Sequence, residues 1–208
     1  MRGALLAGLL ARTLVGRWPY SGEAHPPRYG DYEAQRHWME ITSNLPTAEW
    51  YVHSKDNDLQ YWGLDYPPLS AHFARLLGVV ANKMHPQLVE LHASRGHESP
   101  PTRAWMRNSV IASDAIVYAP TALLWARARY RAPGAPRSLF LLFLLLSPPL
   151  VLVDHGHFQY NGVSLGLAAL GALAAINSRP LACCVLFSLS LNFKQMGASI
   201  SRPTPPPR

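Results

Sequence analysis

The chain has 208 residues, 19 Lys and Arg against 12 Asp and Glu, and a formal charge of +7. Its mean hydropathy of −0.01 averages two unlike halves, which argues against a single evenly mixed globular core. The arginines fall in short clusters beside apolar runs, which excludes a basic nucleic-acid-binding face and follows the positive-inside pattern of a membrane protein.

Residues 1–18 open with a basic pair and an apolar stretch from Ala4 to Ala11, but offer no small-residue cleavage site before Trp18. They read as a first membrane helix rather than a signal peptide, with Arg12 needing a partner or a route to the interface. Residues 19–103 then turn polar. Between Pro27 and Pro68 they concentrate Trp and Tyr and carry Asp31, Glu33, Glu40, Glu49, Asp56, Asp58 and Asp65. Ala34, Trp38, Ile41 and Leu45 share one face at helical spacing, so a helix runs from Tyr32 to Leu45, capped by Asp31. Trp50 to Trp62 lacks periodicity and reads as loop. Tyr66, Pro67 and Pro68 force an extended entry to a helix whose apolar face, Leu69, Phe73, Leu76, Leu77 and Val80, suits a membrane interface. His85 to Arg103 is a turn-rich connector.

Residues 104–196 predict four further spans, at Ala104 to Ala126, Leu139 to Val153, Gly162 to Ile176 and Leu181 to Phe193, the later ones short for a bilayer core of about 30 Å. Arg127, Arg129, Arg131 and Arg137 place their loop on the cytoplasmic side, so alternation puts 27–101 and 154–161 together on the opposite side. Arg107 and Asp114 lie within a span, seven residues apart and too far for direct pairing. Cys183 and Cys184 are adjacent in an apolar run, which disfavours disulfides or a metal knuckle. Residues 197–208 read as a disordered tail.

Three segments carry a family signature: Gly30 to Trp38 (GDYEAQRHW), Leu59 to Pro68 (LQYWGLDYPP) and His155 to Asn161 (HGHFQYN). In this order they closely resemble the dolichyl-phosphate-glucose-dependent α-1,3-glucosyltransferases of the endoplasmic reticulum, and the first-glucose branch more than the second. The resemblance runs from about Pro19 to Met196 and covers less than half of the family's length, so a truncated product is expected, with a non-catalytic binding or interfering membrane protein as the alternative.

The resemblance implies an all-α, multi-pass GT-C fold in the endoplasmic reticulum membrane with its active side lumenal. It implies dolichyl-phosphate-glucose as donor, a mannose-rich lipid-linked oligosaccharide as acceptor, contact with membrane lipid, and no nucleic acid, cofactor or metal. Asp31 matches the family's base, where a carboxylate takes the proton of an otherwise poor hydroxyl nucleophile; from the residues alone it reads first as a helix N-cap, and the two roles are compatible. Asp65 either orients acceptor hydroxyls or makes an Asx turn, with Tyr61, Trp62 and Tyr66 as stacking surfaces for sugar. Arg36 and His37 face the donor phosphate or solvent. The resemblance gives His157, Gln159 and Asn161 places at the mouth of the site, against a helix-end packing role. Lys194 is a candidate for a lipid phosphate.

Overall fold

The computed structural model describes residues 1–27 and 29–195. Its elements are helices throughout, with no strand among the described residues. They are α1 (Arg2–Val15), α2 (Gly30–Asn44), α3 (Pro68–Met84), α4 (Pro100–Arg129), α5 (Ala135–Leu145), α6 (Pro148–Leu150 continuing through Val151–Phe158), α7 (Asn161–Ile176) and α8 (Pro180–Phe193). The expected tail at 197–208 lies outside the described residues.

Two stretches, Pro100–Arg129 and the α5–α6 run Ala135–Phe158, are long and apolar enough to cross a membrane. At about 1.5 Å per residue, α1, α7 and α8 fall short of a 30 Å core. Their outer faces are nonetheless greasy: Leu6, Leu10, Ile176 and Leu181 are all well exposed. The helix ends sort into two groups. The Met1 ammonium donates to Ser138 Oγ at 2.9 Å, whereas the other end of α1 leads to Trp18, whose carbonyl accepts from Arg103 at 2.7 Å and from Arg107 at 3.1 Å.

The buried ions inside the helices find partners that one-dimensional spacing hides. Arg12 Nε donates to Asp114 Oδ2 at 2.7 Å, and His155 Nε2 lies 3.0 Å from the same oxygen. Asp114 begins a π-helical stretch of α4 and His155 lies in a second one in α6; such bulges rotate side chains that a regular helix would aim elsewhere. Arg107, as expected, does not pair with Asp114 and instead donates to the His155 and Gly156 carbonyls at 2.5 and 3.1 Å.

Small residues bring α7 and α8 close, where Ser190 Oγ donates to Ser164 O at 2.9 Å. On α3 it is the small residues Ser70, Ala71, Ala74, Gly78 and Ala81 that are buried, while of the expected apolar face Leu69, Phe73 and Leu77 are half-buried against the core and Leu76 and Val80 point outward with Val79 and Met84. The reason lies on α2, since a Cβ at Gly78 would sit 2.7 Å from Met39 O and the two helices approach too closely for large side chains. A core of Tyr32, Trp38, Ile41, Trp50, Met106, Phe158 and Tyr160 then ties the polar stretch to the helical support.

Candidate active site

Asp31 is the second residue of α2, not its cap; Tyr29 holds the cap position and no side chain caps the helix. The chain enters α2 through two successive left-handed residues, Tyr29 at φ 58° and Gly30 at φ 65°. Glycine is required at the second, because a Cβ there would meet Ser21 Oγ at 2.5 Å and Ser21 O at 2.6 Å. This close approach lets Ser21 Oγ accept from the Asp31 amide at 3.3 Å while the Ser21 amide donates to His157 O at 3.0 Å. One serine thus ties the start of α2 to the end of α6.

The chain reverses after His157 at Phe158, a non-glycine residue at φ 94°. Phe158 is fully buried against the Tyr32 and Tyr160 rings, with centroids 4.8 and 5.6 Å away, and this packing holds a strained backbone in place. The residues on either side of the reversal both reach Asp31 Oδ2: Gln159 Nε2 at 2.5 Å and His157 Nε2 at 3.0 Å. The Asp31 side chain remains 33% exposed. Its position in the first turn of α2 also sets a carboxylate against the positive helix end.

Behind Gln159 the network continues. Lys194 Nζ donates to Gln159 Oε1 at 2.9 Å and to Asn161 Oδ1 at 2.6 Å. Asn161 Nδ2 donates to Asp154 Oδ1 at 2.7 Å, and the Gly162 amide donates to Asp154 Oδ2 at 2.7 Å. The Lys194 ammonium lies 4.9 Å from the Tyr66 ring centroid, and Tyr66 tilts against Trp38 at 4.7 Å. Partial burial, with Asp31 nearby, raises the Asp65 carboxyl above its usual range. Burial beside Asp65 and Asp31 pushes the Tyr66 hydroxyl up to about 12. Asp31, Asp65, Tyr66, His157, Gln159 and Asn161, far apart in sequence, therefore share one polar patch with Lys194.

Arg36 does not join them. It is 0% exposed, so it faces neither solvent nor a ligand, and the reason is the connector folded over α2. Its guanidinium meets Glu33 at 2.6 and 2.7 Å, Glu40 at 2.7 Å, Ser94 Oγ at 2.5 Å and Leu88 O at 3.0 Å. Glu40 is completed by the His92 amide at 2.8 Å. Burial would raise the Glu40 carboxyl, but His37 and Arg36 outweigh it and bring it down to about 2. His37 is equally enclosed. Tyr61 belongs to this second cluster, donating to Glu33 Oε1 at 2.9 Å beneath Arg95. Trp62, left-handed at φ 51°, presents its carbonyl to Trp38 Nε1 at 2.9 Å and packs on the core.

Ser21 gave no signal in the sequence; its role follows from an approach only a glycine permits. No group of three His, Cys, Asp or Glu side chains among the described residues is placed to hold a metal ion.

The family model of the ALG6, ALG8 glycosyltransferase family matches residues 8–204. The chain belongs to this family. It is 47% identical over 201 residues to a probable dolichyl pyrophosphate Man9GlcNAc2 alpha-1,3-glucosyltransferase of Drosophila melanogaster, a match covering 94% of the chain and 42% of the relative. To the Rattus norvegicus dolichyl pyrophosphate Man9GlcNAc2 alpha-1,3-glucosyltransferase it is 47% identical over 196 residues, 94% of the chain and 39% of the relative. The Saccharomyces cerevisiae protein of that name is 44% identical over 196 residues, 92% and 35% respectively. This glycosyltransferase-family chain thus spans well under half the length of the curated relatives it matches.

Proposed function

We propose that this chain carries the base-bearing part of an inverting, multi-pass GT-C α-1,3-glucosyltransferase of the endoplasmic reticulum membrane. The donor is dolichyl-phosphate-glucose and the acceptor a mannose-rich, dolichyl-pyrophosphate-linked oligosaccharide of the kind named for the relatives. The observation that supports this best is Asp31: a carboxylate one-third exposed, one oxygen fixed by Gln159 and His157, standing where the apolar helices end. The polar patch lies at the ends of α6 and α8 remote from the arginines at 127–137, which supports a lumenal placement under the positive-inside rule.

Asp31 takes the proton from an acceptor mannose hydroxyl as that oxygen attacks the anomeric carbon of glucose. The new glycosidic bond forms as the bond to phosphate breaks, and the electron pair leaves on dolichyl phosphate. That leaving group is already an anion and needs no separate acid. Attack opposite a β-linked phosphate gives the α-linked product. Holding Oδ2 fixed leaves Oδ1 to receive the proton, and the base is preorganised before substrate arrives. Asp65 and the Tyr66 ring supply acceptor-orienting contacts beside it. The test is Asp31→Asn in the full-length protein: transfer from dolichyl-phosphate-glucose should fall at least ~10²-fold with membrane insertion unchanged, and retained turnover would sink the assignment.

A further inference from the structure

We propose that Lys194 is a positioning residue for the base, holding the Gln159 carboxamide by its oxygen so that the amide N–H is delivered to Asp31. The inference rests on the glucosyl-transfer reading and extends it to a residue outside the three sequence segments that carry the family signature.

At Lys194 the chain leaves α8 in an extended conformation, φ −151° and ψ 122°, and the residue is only 8% exposed. A buried ammonium is costly unless its hydrogens are matched. Two of the three find the oxygens of Gln159 at 2.9 Å and Asn161 at 2.6 Å, and the charge lies 4.9 Å from the Tyr66 ring centroid. Asn161 Nδ2 adds a second donor to the same Gln159 oxygen at 2.9 Å.

A carboxamide accepts only at oxygen and donates only at nitrogen. With two donors on Oε1, Gln159 has one orientation left, and it puts Nε2 2.5 Å from Asp31 Oδ2. The flipped amide would face its N–H groups to an ammonium and its oxygen to a carboxylate, an arrangement repulsive at both ends. Lys194 therefore decides which way Gln159 points, and Gln159 decides where Asp31 is held. Burial lowers the Lys194 pKa, while Asp154, Asp31 and Asp65 around it act in the opposite direction. Those three carboxylates also make the pocket unwelcoming to a phosphate, which separates this role from an anchor for the donor lipid.

Loss of the cation has two consequences: the amide is free to turn, and the carboxylate loses a favourable charge. The full-length protein, purified in detergent, is assayed with dolichyl-phosphate-glucose and lipid-linked acceptor, comparing wild type, Lys194→Met and Lys194→Arg. Lys194→Met should lower kcat by ~10²-fold, within the range a positioned base supplies, with donor KM within a few-fold of wild type. The acid limb of its pH–rate profile should move to higher pH, because a carboxylate without its neighbouring cation protonates more readily. Lys194→Arg, which keeps the charge and its donors, should restore most of kcat. A raised donor KM with kcat intact would instead make Lys194 a phosphate ligand and overturn the proposal. So would a Lys194→Met that is slow but shows an unmoved pH profile and no rescue by arginine, the signature of a packing defect. Failure of the underlying reading looks different: wild type then transfers no glucose, or Asp31→Asn transfers it normally, and the positioning proposal falls with it.

Discussion

Replacing Arg36 separates a structural cation from a substrate ligand. Arg36, Glu33 and Glu40 are at most 1% exposed, and the guanidinium satisfies both carboxylates as well as Ser94 and Leu88 of the connector. Arg36→Met keeps the volume and deletes the charge, leaving two buried acids to find protons or water. Removing one partner from such a group costs about 3–5 kcal/mol. For a unit of about 200 residues each kcal/mol lowers the midpoint by roughly 2–4 °C, so a loss of about 4 kcal/mol corresponds to a drop of roughly 8–16 °C. The assay is thermal unfolding of the detergent-solubilised protein, followed by retention of a monodisperse peak after heating. An Arg36→Met protein as heat-stable as wild type but with a raised KM for dolichyl-phosphate-glucose would refute the reasoning, and would return Arg36 to the donor phosphate.

The same cluster sets an acid limit. With Glu40 brought down to about 2 from an ordinary value of 4.5, its contribution is complete above pH 4.5 and disappears as pH falls through 4.5 toward 2, an effect of about 3 kcal/mol. Glu40→Gln should therefore flatten the decline in heat stability below pH 5, and an unaltered decline would show that Glu40 is not its source. At the entry to α2, Gly30→Ala meets Ser21 at 2.5 Å from a left-handed backbone and should reduce glucosyl transfer more than ~10-fold by displacing the base. Gly3→Ala, with open space around it, serves as the control and should leave transfer unchanged; equal activity in both variants would remove Gly30 from the placement of Asp31.

The sequence made the helices legible because their signals are local. Periodicity marked α2, proline and a change of composition marked the start of α3, and apolar runs marked α4, α7, α8 and the α5–α6 run as far as Val153. What spacing could not supply was the third dimension of the charged residues. Asp31 looked like a cap because it precedes an apolar repeat, yet two left-handed residues move the helix start back to Gly30 and free the carboxylate for His157 and Gln159. Arg36 sits on what periodicity called an outer face, and only a connector fifty residues later covers it. Arg12 found Asp114 across 102 positions. In each case the local rule left the partner of the side chain undetermined, because burial of polar groups is decided by whichever distant segment arrives to satisfy them.

That difference also separates the two polar clusters despite their similar residues. Around Arg36 every charge is matched and sealed, with Glu33 and Glu40 given no solvent-facing oxygen to offer. Around Asp31 the matching is one-sided: Oδ2 is held by two donors, while a third of the side chain stays open. A carboxylate that is fully enclosed stabilises a fold, and one left wholly free is neither positioned nor shielded. Asp31 stands between these limits, anchored at one oxygen and partly open, which is what the proposed role as base requires. The reversal at Phe158 and the close approach at Gly30 are the two backbone features that create this intermediate state, so substitutions there should disturb transfer more than substitutions anywhere in the sealed cluster at equal cost in stability.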